Sequence, residues 1–146
     1  MQHNNMSMTG MIIISIVSGM LSGMNLWAVE GSHMRAHLNN VYMVLLMTGW
    51  MVLLTAIFTP HIDYQNYLII GSALVIGFTI YFIRKQVFIN DKQFLNGMIP
   101  HHSSALLMAR RIKEKTKDPR IIQLANNIIK SQTEEIKLMD TILKDK

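Results

Sequence analysis

Residues 41–58 read VYMVLLMTGWMVLLTAIF, eighteen residues without a charge, and Thr59-Pro60 close the run. A helix that spans a bilayer takes about 20 apolar residues, with about 17 as the lower limit. The stretch therefore predicts a transmembrane helix, and the chain on either side repeats the pattern. Gly10 to Ala28 is a run of nineteen residues without a charge, and Tyr67 to Ile83 is a run of seventeen stopped by Arg84-Lys85. Tyr67, Tyr81, Arg84 and Lys85 suit a membrane–water interface and lengthen the third run. Ser15, Gly19, Gly23, Thr48, Gly49, Ser72 and Gly77 are small or polar side chains of the kind that lets helices approach closely. The expectation is an all-α chain with three transmembrane helices in residues 1–86.

Composition agrees with that division. Half of the 146 residues are hydrophobic and 16% are charged, against about 25% charged in ordinary soluble domains. Residues 1–83 hold only Glu30, Arg35 and Asp63, whereas residues 84–146 hold thirteen basic and seven acidic residues, so the net +5 divides into −1 and +6. A basic segment beside a membrane points to anionic headgroups. The basic residues alternate with acids and lack aromatic partners, which argues against nucleic acid. With no cysteine in the chain, disulfide, thiolate-metal and thiol-redox chemistry are excluded.

The first run lacks a basic leader and a small-x-small cleavage pattern near Ala28, so it reads as a retained helix. The word GSHM at 31–34 resembles a cloning scar but lies between two apolar runs, and is read as native. Arg35 lies between the first two runs, Arg84 and Lys85 follow the third, and the loop TPHIDYQN has no basic residue. That distribution places the first loop and the C-terminal part in the cytoplasm. The expected setting is a bacterial inner membrane, crossed several times.

Residues 87–146 read as a helical hairpin. The first helix starts near a cap at Asp91 and runs to Lys115 or Lys117, with an apolar stripe of Phe94, Met98, His101 or His102, Ala105, Met108 and Ile112. Pro100 interrupts its hydrogen bonding just before the histidines. Asp118 and Pro119 give a strong start to the second helix, which runs to about Leu143. Its stripe is Ile121 or Ile122, Ala125, Ile128 or Ile129, Gln132, Glu135 or Ile136, Met139 and Leu143. A turn centred on residue 117 makes facing residues sum to roughly 234. Met98, His101, His102, Gln132, Glu135 and Met139 then converge within about two turns.

Polar groups on an apolar seam cost several kcal/mol unless they gain partners, on the order of the desolvation of each group. Imidazole, carboxylate and thioether together suit a transition metal, and thioether favours Cu(I). The other reading is a satisfied buried network or a dimer interface. In the apolar runs Met20 and Met24, then Met43, Met47 and Met51, recur at spacings of four, with His33 and His37 ahead of the second run. These fit a soft-metal path, or lipid-facing and packing side chains. Enzyme chemistry has little support. There is no phosphate loop, and the His33/His37 pair lacks the glutamate that hydrolytic zinc sites use.

The segment FLNGMIPHHSSALLMA, Phe94 to Ala109, followed by QTEEIKLM, Gln132 to Met139, resembles the bacterial family known as domain of unknown function 305. Its pattern is Met-Ile-x-His-His, Ala, Met-Ala, then Gln-x-x-Glu-Ile-x-x-Met, here Met98, Ile99, His101, His102, Ala105, Met108, Ala109, Gln132, Glu135, Ile136 and Met139. The likeness covers about residues 91–143. It implies a ferritin-like helical architecture, an association with copper (zinc or iron being the other candidates) and a metal role for Met98, His101, His102, Met108, Gln132, Glu135 and Met139. Longer members carry the unit twice. One hairpin therefore needs a second chain or the membrane helices to complete a four-helix bundle, and a homodimer is expected, because about 50 residues bury too little surface alone.

Overall fold

The computed structural model describes residues 8–21, 23, 27–59 and 64–146. Among these residues the chain is all-α: α1 (Met8–Leu21), a single 3-10 turn (Gly31–His33), α2 (Leu38–Phe58), α3 (Gln65–Lys85), α4 (Asp91–Lys115) and α5 (Pro119–Lys144). They group into two compact units, Met1–Ser22 with Asn39–Phe88 and Gly23–Leu38 with Ile89–Lys146. The segment Gly23–Leu38 thus groups with the hairpin and not with the apolar helices that flank it in sequence.

The expectation of three membrane spans is corrected to two. α2 and α3 each have 21 residues and are long and apolar enough to cross a membrane, with a rise of about 31 Å. α1 ends at Leu21 after 14 residues. At about 1.5 Å per residue it reaches roughly 21 Å, short of a hydrocarbon core of about 30 Å. Among the described residues Gly23, which lowers helix propensity, lies outside the helix.

Within the first unit, small residues set the contacts. A Cβ on Gly49 would stand 2.9 Å from Ile76 of α3, and one on Gly19 of α1 would stand 2.8 Å from Met47 of α2. The small face of α1 is therefore used inside one chain, and Ser15 on it is buried with its hydroxyl donating to the Met11 carbonyl. Large apolar side chains point away: Ile70 is 61% exposed and Phe78 is 63% exposed. Tyr42 donates to the Val87 carbonyl at 2.6 Å and meets Phe82 edge to face. α3 closes with Gln86 in the left-handed region at φ 49°, and Phe88 follows at φ 59°, a conformation that costs a non-glycine residue about 1–2 kcal/mol.

In the second unit α4 and α5 form the hairpin. The cap of α4 is Asn90, whose side chain accepts from the Gln93 N–H, one residue before the expected Asp91. Asp118 caps α5 as expected, with Pro119 at the first position. The core consists of Leu95, Ile99 and Leu106 against Ile136 and Met139, with Met98, Ile129, Ile142 and Leu143 at its edge. Each such residue, fully buried, contributes roughly 1.5–3 kcal/mol. The expected α4 stripe holds in part: His102 of its two alternatives is buried and Met98 packs at the core edge, but Phe94, Met108 and Ile112 face outward, while Leu95, Ile99, Ser103, Leu106 and Ala109 are buried. The reason is a third layer. The strap from Glu30 to Leu38, which opens with the 3-10 turn, lies along α4 and draws burial toward Gly97 and Ser103.

That strap is held by polar contacts. The Glu30 N–H donates to Ser103 Oγ at 3.1 Å, and His33 Nδ1 meets the same oxygen at 3.1 Å. Arg110 reaches the Glu30 carboxylate at 2.5 Å, and Arg35 reaches Asp140 of α5 at 3.2 Å. The Leu38 N–H, one of the free donors at the start of α2, finds Gln93 Oε1 at 2.7 Å.

Candidate functional site

His102 is the polar centre of the hairpin. Its side chain is 9% exposed, and Nε2 lies 2.7 Å from Glu135 Oε2, whose side chain is 51% exposed. Its Nδ1 lies 2.8 Å from the Met98 carbonyl. A carbonyl only accepts, so Nδ1 carries the proton and donates. Nε2 faces the carboxylate, so the imidazole ties α4 to α5 through both of its nitrogens.

The chain sets up this pair by simple geometry. Residues 102 and 135 sum to 237, three beyond the register expected from the turn at Thr116–Asp118. Three residues correspond to about 4.5 Å of axial rise. Side chains tilt toward the N-terminus of their own helix, and in an antiparallel pair these tilts are opposed. His102 leans toward the base of the hairpin and Glu135 toward its tip, which closes the gap.

The other expected site residues divide by position. Met98 is half-buried at the edge of the core and Met139 is buried within it. Gln132 is half-buried, one turn before Glu135. His101 is exposed, and its ring is 5.9 Å from that of His102 with the planes 67° apart, as adjacent helical positions require. Met108 lies six residues beyond His102, about 9 Å along the axis, and faces a different surface. Among the described residues no three His, Asp or Glu side chains gather as a chelating group. The nitrogen and oxygen donors in contact here are the His102–Glu135 pair, with the thioethers of Met98 and Met139 one helical turn along α4 and α5.

The donor set fits a soft ion better than a hard one. An imidazole whose Nδ1–H is fixed on a carbonyl presents Nε2 as a ligand in a set orientation, the usual support for a metal-bound histidine. Zinc in closed sites takes four N, O or thiolate ligands, more than this pair supplies. Thioether and imidazole suit Cu(I).

Sequence reading missed the strap. His33 and His37 were read beside the apolar methionines. In the structure His33 holds Ser103, and the His37 ring lies against Gly97, where a Cβ would stand 3.2 Å from Nδ1. Burial pushes the His37 imidazole below its ordinary range. A lone glycine inside α4, beside two buried serines, was the available signal. Of the methionines, Met47 packs on Gly19, while Met20, Met43 and Met51 point outward. Met24 lies outside the described residues.

The hairpin also has an apolar groove near its tip, a cavity of about 410 Å³ lined by Ala105, Met108, Ala109, Ile112, Ile121, Leu124, Ala125 and Ile128.

Residues 84–143 match the family model described as Domain of unknown function (DUF305). Over 144 residues, 98% of this chain and 95% of the relative, the sequence is 49% identical to an uncharacterized protein of Acanthamoeba polyphaga mimivirus. No solved structure matches the chain.

Proposed function

The chain belongs to the family of the domain of unknown function 305, and we propose that it is a membrane-anchored protein that binds a copper ion on the α4–α5 seam, with a role in metal homeostasis or resistance. The observation that carries this reading is His102, buried, with its Nδ1 fixed on the Met98 carbonyl and its Nε2 2.7 Å from the Glu135 carboxylate. His102 and Glu135 supply the first two donors. Met98 lies one helical turn before His102 and Met139 one turn after Glu135, and His101 and Gln132 flank the pair. In two copies, four such helices complete a ferritin-like bundle. The anchor is the pair α2 and α3, with Arg84 and Lys85 holding the hairpin on the cytoplasmic side. The proposal is for a bilayer rather than a bacterial inner membrane, because the relative that matches along nearly the whole chain is viral.

Metal analysis of detergent-purified protein, grown with added copper and separately with zinc, tests it. Near-stoichiometric copper that survives desalting is the expected result. Metal content at the level of the buffer in both preparations refutes it.

A second reading is favoured by the tip groove. Here the hairpin is an interaction module that recruits a partner or a second copy. Light scattering in mild detergent, corrected for bound detergent, measures the second copy directly.

A further inference from the structure

We infer that the groove at the tip of the α4–α5 hairpin receives an acidic amphipathic helix of another protein; this rests on the second reading above and is independent of the metal. The groove runs along Ala105–Ile112 on α4 and Ile121–Ile128 on α5, about 11 Å on each helix. That is the length of two helical turns. Its floor is alanine, at Ala105, Ala109 and Ala125, and its walls are large apolar side chains. Met108 is 63% exposed and Leu124 is 58% exposed. A small-residue floor between two ridges is the shape into which a third helix lays its own ridge, with anchors at i, i+3, i+4 and i+7.

Charge selects among the occupants. Residues 110–120 contain Arg110, Arg111, Lys113, Lys115, Lys117 and Arg120 against Glu114 and Asp118. Arg110 is taken by Glu30, Arg111 by Glu114 and Arg120 by Asp118. Among the described residues no ion pair reaches Lys113, Lys115 or Lys117, which close the tip. A second copy seated groove to groove with the two tips side by side brings the same three lysines face to face. A bilayer takes a flat or protruding apolar face, and this one is concave. An acidic helix satisfies both the shape and the lysines.

The test uses the full chain in zwitterionic nanodiscs. The probe is a fluorescent synthetic helix with leucine at i, i+3, i+4 and i+7 and glutamate on its remaining faces. Two controls are a scrambled isomer and a version with lysine for glutamate. Saturable binding is expected for the glutamate peptide, with both controls at least ten-fold weaker. Leu124→Glu and Met108→Glu change exposed side chains and should each reduce affinity at least ten-fold with helicity intact. Lys113→Gln, Lys115→Gln and Lys117→Gln together should weaken binding and flatten its salt dependence. Failure of the glutamate peptide to bind overturns the inference, as does equal binding of the lysine version. If Leu124→Glu instead abolishes self-association, the groove belongs to a second copy. If it abolishes co-flotation with anionic vesicles, the groove belongs to a membrane. Either result refutes the acidic helix; the former leaves the interaction module standing, and the latter removes it.

Discussion

Gly97 lies against the imidazole of His37, and a Cβ on the glycine would stand 3.2 Å from Nδ1. Two effects then oppose each other in Gly97→Ala. Alanine gains about 1 kcal/mol over glycine in a helix interior, and the methyl must push the ring aside. The expected outcome is a stability gain well below that figure in the natural background and the full gain in His37→Ala. A double-mutant cycle by thermal or denaturant unfolding reads the difference. Equal gains in both backgrounds would mean that the strap yields freely.

The same ring makes the strap sensitive to acid. Burial holds the folded-state pKa of His37 below its ordinary value, so the unfolded chain binds more protons as pH falls. Stability from the buried neutral ring is present above the ordinary imidazole range and is lost as pH falls through it. The melting temperature should therefore drop on acidification, and His37→Asn should remove part of that drop. A variant with an unchanged pH slope would show that His37 contributes nothing to it.

The sequence reached some of this and not the rest, for physical reasons. An uncharged run such as 41–58 needs no assumption about neighbours, so α2 and α3 were legible to within three residues at their starts. The end of α1 was not, because Leu21 and Ala28 look alike in hydropathy and a glycine only weakens a helix. Asp118-Pro119 marks a helix start by local chemistry, and α5 began where it said. The α4 stripe was partly misphased because a strap more than fifty residues earlier in the chain decides which side of that helix is buried. Turn and register brought His102 and Glu135 within about two turns of each other but set His102 opposite Gln132 or Thr133; the opposed tilt of the two side chains makes Glu135 the partner. Met108 was grouped with them by motif, yet helical rise carries it to the groove.

A chain without cysteine makes the proposed topology simple to measure. Ser32→Cys, Thr59→Cys and Lys144→Cys each change an exposed residue. The strap and the hairpin touch, so Ser32 and Lys144 should react with an impermeant maleimide from the same side of sealed vesicles, and Thr59, between α2 and α3, from the other. The proposed orientation makes the Lys144 side cytoplasmic. Thr59 reacting from the same side as Ser32 would mean that α2 does not cross.

The metal proposal separates by ligand softness. Met98→Leu keeps the volume and removes the sulfur, so it should weaken Cu(I) about ten-fold, ~1.4 kcal/mol, and affect Zn(II) much less, because thioether is a soft ligand. His102→Ala removes the imidazole and should weaken both ions. Met108→Leu, in the tip groove, should change neither. Glu135→Gln retains a hydrogen-bond acceptor beside Nε2 but removes the charge, so a larger loss with Zn(II) than with Cu(I) is expected. Competition titrations with chelators of known affinity give the ratios, and circular dichroism on the same samples separates a lost ligand from a lost fold. Unchanged Cu(I) affinity in both Met98→Leu and His102→Ala, with helicity preserved, would end the metal reading. His102 would then be a buried polar tie between α4 and α5, its two nitrogens satisfied by the Met98 carbonyl and the Glu135 carboxylate. In that case His102→Ala should still lower stability, since it removes a buried imidazole and the tie it makes between α4 and the Glu135 carboxylate of α5.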